Sequence, residues 1–255
     1  MDINNVYVRD AILYYTIQQY FICNDKKTSQ FIAQLDHFKY RSGLIHNIPY
    51  LSLQLHVSEK DFYHTYLRVK ESFKTLPEDV ILVKKGDEIY SKLLAVIPTA
   101  PPYLFLKGNV YLLNKKSVSV VGSRNASKEA MKKTETLVKA LVKRNIVVNA
   151  GLAKGIDTIT HQTALKNNGR TIAVIGTPIN QYYPKENKNL QLTIEKHGLV
   201  VSQFPPCNKV YKWNFPTRNA TMSGISIATI IMEAGEKSGA LRQADHCIKQ
   251  GRDIL

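Results

Sequence analysis

From residue 117 to the C-terminus, short apolar runs alternate with helical segments, and this alternation restricts the possible fold more than any other feature. Apolar strands that are buried on both faces and separated by helices are typical of a parallel, doubly wound sheet. The predicted strands are Ser117–Val121, 146–148, Thr171–Ile175, 199–201, 228–232 and 253–255, and the predicted helices are 127–144, 157–168, 186–197, 218–225 and 240–250. The sequence therefore predicts an extended Rossmann-like α/β domain with a mainly parallel sheet.

The first third of the chain has a different pattern. Residues 8–22 are apolar on most faces, and Ser58 followed by Glu59 is typical of a helix N-cap with a first-turn acid. Phe62, Tyr66, Leu67 and Phe73 follow at helical spacing, which favours core packing over stacking on bases. We predict a small helical domain over 1–88 and a Rossmann-like domain over 89–255. Residues 76–79 are predicted as a linker, and the three prolines within 90–108 predict an irregular strap.

The net charge of +15 is distributed unevenly. Residues 1–88 hold 11 Lys/Arg and 11 Asp/Glu, whereas residues 89–255 hold 24 and 9. Such a concentration favours a polyanionic partner for the second domain, with nucleic acid first and an anionic membrane second, although some domains are simply basic.

Targeting and redox signals are few. No apolar run approaches the ~18 residues needed to span a bilayer, and acidic Asp2 and Asp10 do not fit a signal peptide. Cys23, Cys207 and Cys247 lack metal-ligand spacing and fit a reducing compartment. We expect a cytoplasmic protein without a metal or a membrane partner.

Ligands of open parallel sheets bind at the carboxyl ends of the strands, so the loops at those ends are the candidate sites. The first predicted strand is followed by Gly122-Ser123-Arg124 and by Ser127 as a helix cap. Free amides, two hydroxyls and a guanidinium could hold a phosphate there. A plain turn between strand and helix is the alternative.

The next loop places Lys154 between Gly151 and Gly155, ahead of a helix that Asp157 is expected to cap. This helix end could also receive an anion. His161, one turn into the helix, is interpreted as a structural histidine and not as a base.

Cations and aromatics interleave after the fourth predicted strand. Lys212, Phe215, Arg218 and Asn219 lie close together with Trp213, a composition that suits unpaired bases and their phosphates. One of Trp213 and Phe215 is expected to be a core anchor instead. After the fifth strand, Glu233 precedes a small-residue loop with Ser238 and Gly239.

Catalytic signatures are absent from the sequence. It contains no Walker motif, no full Gly-x-Gly-x-x-Gly and no evident Ser-His-Asp or Cys-His set. Loops that suit phosphates without a catalytic set indicate a binding protein that is not an enzyme and needs no cofactor.

In order, these motifs resemble the DNA-processing protein A (DprA, also called Smf) family, the recombination mediators of bacterial natural transformation. The resemblance runs from about Tyr90 to the end. It rests on Val120–Arg124, Gly151–Asp157 with His161 and Ala164, Thr171–Gly176, Tyr183-Pro184-x-x-Asn187, Ser202-x-Phe204-Pro205-Pro206, Phe215-Pro216-x-Arg218-Asn219, Ser223–Ser226, Glu233-Ala234, Ser238-Gly239 and Gly251-Arg252.

The resemblance implies sequence-independent binding and protection of single-stranded DNA, loading of RecA, and a homodimer. In the family the Gly-Ser-Arg loop and the Lys-x-x-Phe segment contact the strand, which carries over to Ser123, Arg124, Lys212 and Phe215. The full predicted DNA-binding set is Gly122, Ser123, Arg124, Ser127, Lys154, Lys212, Phe215, Arg218, Asn219, Ser238 and Gly239.

Two departures from the family pattern bear on these expectations. Ala220 stands where the family usually has a second arginine, and the chain ends as a last strand begins, which predicts a shortened domain with altered dimerisation. A nucleotide-processing enzyme of the phosphoribohydrolase type, with Glu233 as the acid, is one alternative, although that family's Pro-Gly-Gly-x-Gly-Thr-x-x-Glu motif is missing. An inactive truncated remnant is the other.

Overall fold

The computed structural model describes residues 2–3, 5–35, 44–235 and 238–255, without the side chains of 44–46. The chain divides into two compact units, one comprising residues 1–78 and 205–207, the other 79–204 and 208–255. Within the described residues, no helix combines the length and the apolar character that crossing a bilayer requires.

The first unit is helical. Its helices are α1 (Val6–Gln19), α2 (Asp25–Gln34), α3 (Leu44–Leu55) and α4 (Glu59–Lys74). The predicted cap at Ser58 is confirmed, since its hydroxyl accepts a hydrogen bond from the Asp61 amide. Phe62 and Phe73 are fully buried as expected, but Leu67 is 36% exposed and does not belong to the core.

The second unit is built on one sheet, and the predicted α/β class is confirmed. The strands are β1 (Val80–Lys84), β2 (Tyr103–Gly108), β3 (Ser117–Val121), β4 (Val147–Ala150), β5 (Thr171–Ile175), β6 (Leu199–Ser202), β7 (Ala228–Ile231) and β8 (Asp253–Ile254). Their order in the sheet is β1-β2-β6-β5-β4-β3-β7-β8. From β6 to β8 all neighbours are parallel, so the carboxyl ends of these strands meet at one edge.

The first two strands differ from the sequence prediction. β1 pairs antiparallel with β2, and β2 pairs antiparallel with β6, so residues 80–84 belong to the sheet and the units divide between Glu78 and Asp79, ten residues before the predicted boundary. The expected strap holds a short helix, Lys92–Ala95, before its prolines and strand β2 after them, where Tyr103 to Leu106 are all buried. Val80–Val83 and Tyr103–Leu106 are short apolar runs typical of strands, but the prolines between them and the distant partner β6 conceal their place in the sheet.

Helices pack on both faces of the sheet. They are α5 (Lys92–Ala95), α6 (Lys128–Lys143), α7 (Ile156–Lys166), α8 (Lys188–His197), α9 (Asn214–Gly224) and α10 (Gly239–Lys249), with 3-10 turns at Val110–Asn114 and Lys185–Asn187. Leu94, Met222 and Ala240 join one core cluster, whereas Ala130 and Ile156 join another.

Helix α9 begins four residues before the predicted position. Pro216 is its third residue, where a proline is tolerated because the first turn needs no amide donors. The earlier start places Phe215 and Arg218 on one helix, and this arrangement builds the site described below.

Candidate functional site

A groove of about 650 Å³ opens at the carboxyl edge of the parallel strands. β3 lies between β4, which follows it in the chain, and β7, which the chain reaches only after β6, so the strand order reverses beside β3. Doubly wound folds bind ligands in the crevice at such a switch point. Nine predicted site residues line the groove together: Gly122, Ser123, Arg124, Lys212, Phe215, Arg218, Asn219, Ser238 and Gly239.

The loop after β3 forms one wall. The Ser123 carbonyl accepts a hydrogen bond from the Ile156 amide at 3.2 Å, and the Ser123 hydroxyl accepts one from the Asn125 amide at 3.1 Å. These bonds fix the backbone while Arg124 stays exposed, with its guanidinium carbon 6.0 Å from the centre of the Phe215 ring. A fixed loop thus presents a free guanidinium beside an aromatic face.

Phe215 forms the opposite wall from the first turn of α9. Its ring lies against the backbone at Gly176, where a Cβ would come within 2.7 Å of the ring, and its centre is 5.2 Å from that of Tyr183. Phe215 is half-buried and Trp213 is 41% exposed, so the expectation that one of them is a core anchor is wrong. The fully buried residue is Asn214 between them, which donates to the Gly176 carbonyl at 3.1 Å.

The floor of the groove carries two buried charges. Arg218 is only 5% exposed and donates to the Val174 carbonyl, and a Cβ at Gly151 would overlap its guanidinium. Asp157 is 6% exposed and accepts from the amides of Gly151 and Ala153 at 3.0 and 3.2 Å. Arg218 therefore contributes mainly a positive potential from below the surface and not a side chain that is free to contact a ligand. Its position in the sequence did not reveal this role.

Burial shapes the titration of both groups. Burial raises the pKa of the Asp157 carboxyl, against the opposing effects of Arg218 and the two amides. Burial also lowers the pKa of Arg218 to about 10, which leaves the guanidinium protonated at neutral pH. Asp157 does not cap its own helix, because Gly155 occupies the N-cap position and the carboxylate serves the preceding loop.

Two predicted residues make other contacts. The Lys154 ammonium pairs with Glu186 at 2.7 Å and lines a smaller recess shared with Arg124 and Phe215. Ser127 is the N-cap of α6 as predicted, and its hydroxyl donates to Glu233 at 2.7 Å. Ser127 is not among the residues that line the groove, and Glu233 serves as its hydrogen-bond acceptor.

The N-terminus of α10 closes the groove. Ser238 and Gly239 line it together with Ala240, so the start of a helix, where backbone amides lack partners within the helix, borders the cavity. Exposed Arg242, one turn further along α10, also lines the groove, as does Tyr183 from the β5–α8 connection. Sequence reasoning missed Arg242, because only the packing of α10 shows which of its faces points to the groove, and it missed Tyr183, because its contact with Phe215 is formed across the fold.

Within the described residues, no group of three His, Cys, Asp or Glu side chains is arranged to hold a metal ion. The groove instead offers backbone amides, hydroxyls, cations and aromatic rings. This combination suits a phosphate backbone with attached bases better than it suits a reaction centre.

His161 lies beneath the site as a fully buried residue, with Nδ1 at 2.7 Å from the Thr171 hydroxyl. Burial and the charge of Arg218 lower the pKa of its imidazole from 6.5 to about 3. The folded pKa is below the unfolded one, so the stability contribution is complete above pH 6.5 and is lost as the pH falls toward 3.

We expect the free energy of unfolding to fall by up to about 1.4 kcal/mol per pH unit between pH 6 and 4 on account of His161. Urea titrations across this range measure it. His161→Gln should reduce the pH slope, and His64→Gln, at an exposed position on α4, is the control. Equal slopes for all three proteins would contradict the assignment.

Comparisons with known proteins point in one direction. The family model described as DNA recombination-mediator protein A matches residues 81–255. The chain is 40% identical over 197 residues to DNA processing protein DprA of Streptococcus pneumoniae, across 77% of this chain and 68% of that protein.

Solved structures agree with this match. The X-ray structure of DprA from Streptococcus pneumoniae aligns with a TM-score of 0.74 and 31% identity, covering 97% of this chain and 84% of that one. A DprA structure from Helicobacter pylori, described for its single-stranded DNA binding mode, aligns with a TM-score of 0.62 and 26% identity, covering 69% and 79%.

Proposed function

The chain belongs to the DNA recombination-mediator protein A family, and we propose that its groove binds single-stranded DNA without regard to sequence. The observation that carries the proposal is the pairing of exposed Arg124 with the face of Phe215, with Lys212 lining the same groove. Unpaired bases stack on aromatic faces while cations hold the phosphates, and neither contact depends on the base.

Arg218 in the floor of the groove and the start of α10 at its end favour the same ligand. Buried Arg218 places a fixed positive charge beneath the groove, and the start of α10 borders it with backbone amides that lack partners within the helix. Both attract phosphate oxygens without reading bases. Arg124, Lys212 and Arg242 are the exposed cations of the lining, so about three phosphates should be neutralised.

Titration of a short labelled strand at several salt concentrations tests the proposal. We expect a log–log slope of about −2, because each neutralised phosphate contributes about −0.7 for single strands. Homopolymers and mixed sequences of equal length should bind within a few-fold of each other. Absent binding, or binding that does not respond to salt, would refute the proposal.

Loss of the aromatic wall gives a separate prediction. Phe215→Ala should weaken binding about 5- to 150-fold, since stacking contributes about 1–3 kcal/mol per base. Fluorescence titration measures the change, and Phe215→Tyr, which keeps the ring, should bind as the parent does. If Phe215→Ala retained full affinity, base stacking at this wall would have to be abandoned.

We further propose that the bound strand is protected from nucleases and handed to RecA, that the chain acts as a homodimer, and that its role is binding without catalysis. Family membership supports these roles. A nuclease-protection assay tests the first role, the rate of RecA assembly on the bound strand tests the second, and the molecular mass in solution tests the homodimer. Release of free base from nucleoside monophosphates would favour the enzymatic alternative. The hydrogen bond from the Ser127 hydroxyl to the Glu233 carboxylate argues against it, because it occupies the group that would act as the acid.

A further inference from the structure

A second basic surface lies at the opposite edge of the sheet, where the parallel strands begin. The connections entering β3, β4 and β5 carry six exposed cations, which we name the amino-edge cluster: Lys115, Lys116, Lys143, Arg144, Lys166 and Arg170. Lys196 extends the cluster at the entrance to β6. In sequence, the connections 110–116, 143–146, 166–170 and 196–198 contain no Asp or Glu.

Backbone pairing places these cations side by side. The Val147 amide donates to the Lys116 carbonyl at 3.1 Å, and the Val148 amide donates to the Arg170 carbonyl at 3.2 Å. Neighbouring strands lie about 4.8 Å apart, so Lys116 and Arg170, on either side of the start of β4, lie roughly 10 Å apart at the same edge of the sheet.

Helix termini explain only part of the amino-edge cluster. Lys143 and Lys166 occupy the last turns of α6 and α7, where a cation stabilises the helix dipole. Arg144 and Arg170 also serve helix ends, since their guanidinium groups donate to the carbonyls of Ala140 at 3.2 Å and His197 at 3.4 Å. Lys115 and Lys116 lie outside any α-helix. Asp79 and Glu195 both pair with Lys107 in β2, and among the residues that the structure describes no carboxylate forms an ion pair with a cation of the cluster.

The groove does not account for the charge of this unit. Among its predicted cations, Lys154 is paired with Glu186 and Arg218 is buried. The excess of 24 Lys/Arg over 9 Asp/Glu in residues 89–255 therefore resides mainly outside the groove. A contiguous part of it is the amino-edge cluster.

We propose that the amino-edge cluster binds the phosphate backbone of a second nucleic-acid segment while the groove holds the first. Interfaces between proteins are depleted in lysine and have an apolar core. In the connections that form this edge, Tyr111 is the only large hydrophobic residue that is markedly exposed. Cations without an apolar core suit a phosphate backbone better than an acidic protein.

The two surfaces are separated by the length of the strands, so the second contact does not depend on the first. β3 and β5 have five residues each, which span about 16 Å. A strand in the groove would leave the amino edge free for another segment. The inference goes beyond the proposed function of the groove and can hold or fail separately from it.

The test compares two variants with the same loss of charge. The edge variant carries Lys115→Gln, Lys116→Gln and Arg170→Gln, and the control carries Lys128→Gln, Lys132→Gln and Lys139→Gln, three exposed positions on α6. On a long strand, the edge variant should lose about 2 units of salt slope relative to the control. When the salt concentration rises from about 50 to 200 mM, the affinity of the edge variant should therefore fall by a factor roughly 15 times smaller than that of the control.

A capture assay reports bridging directly. A short strand fixed on beads should retain a labelled second strand through the parent and the control, but not through the edge variant. Retention by the edge variant would overturn the proposal, since the two grooves of a dimer would then suffice. Equal competition by polyglutamate and DNA, compared at equal charge, would also overturn it in favour of an acidic protein.

Failure of the groove would be seen separately. If Arg124→Ala bound the short strand as tightly as the parent, the proposed function of the groove would fall. The difference between the edge variant and its control on the long strand would still decide the second site. Identical slopes for these two variants would refute the amino-edge cluster as a nucleic-acid contact.

Discussion

Replacing Arg124 with alanine is expected to weaken the binding of every single-stranded sequence by about tenfold or more. The exposed guanidinium can grip a phosphate with two charge-assisted hydrogen bonds, and no base contact is involved. The salt slope should fall by about 0.7 for the lost phosphate contact. Fluorescence titration of short homopolymers and mixed strands at several salt concentrations measures both quantities.

Lys133→Ala is the matched control for charge. Lys133 is exposed on α6, pairs with Glu129 at 2.7 Å and does not line the groove. Its affinity and salt slope should equal those of the parent. A loss that differed between sequences in the Arg124 variant would mean that the arginine reads bases, contrary to the proposed role.

Replacing Arg218 with methionine is expected to lower the free energy of unfolding by about 3 kcal/mol. Arg218 is the charge that most favours the ionised form of the buried Asp157 carboxyl, and removal of one partner from buried opposite charges is strongly destabilising. Because the guanidinium also fills the space above Gly151, methionine was chosen to retain volume. Urea denaturation at neutral pH measures the change.

The double variant Arg218→Met with Asp157→Asn separates charge from packing. The amide oxygen of asparagine can still accept from Gly151 and Ala153, so part of the lost stability should return. Arg242→Met, an exposed cation of the same groove, should change stability by less than about 0.5 kcal/mol. If the double variant were as unstable as the sum of the single ones, the charge argument would fail.

The sequence predicted the parallel strands well because their signals are local. Thr171–Ile175 is a continuous apolar run that ends at a glycine, and its bounds are the same in the structure. β1 and β2 were missed since their pairing depends on β6, which is distant in the chain. Their apolar runs resemble strands, but no local signal shows that these strands are added antiparallel at the side of a parallel sheet.

The same limit applies to the site. Arg124 could be assigned to the groove from its loop alone, and it lines the groove. The burial of Arg218 depends on Gly151 and Val174, which belong to other parts of the sheet. Lys154 is paired with an acid 32 positions away. Residue type predicted which side chains gather at the edge, but only packing determines which of them remain free.

The contact between the Phe215 ring and the backbone at Gly176 has a consequence for the energetics of association. The Phe215 ring is restricted by its place at the start of α9, by Tyr183 and by the backbone at Gly176, so it loses little rotamer freedom when a ligand binds. Preorganisation of this kind lowers the entropic cost of complex formation. Encounter with a flexible strand should then be limited by the ordering of the strand and not by rearrangement of the protein.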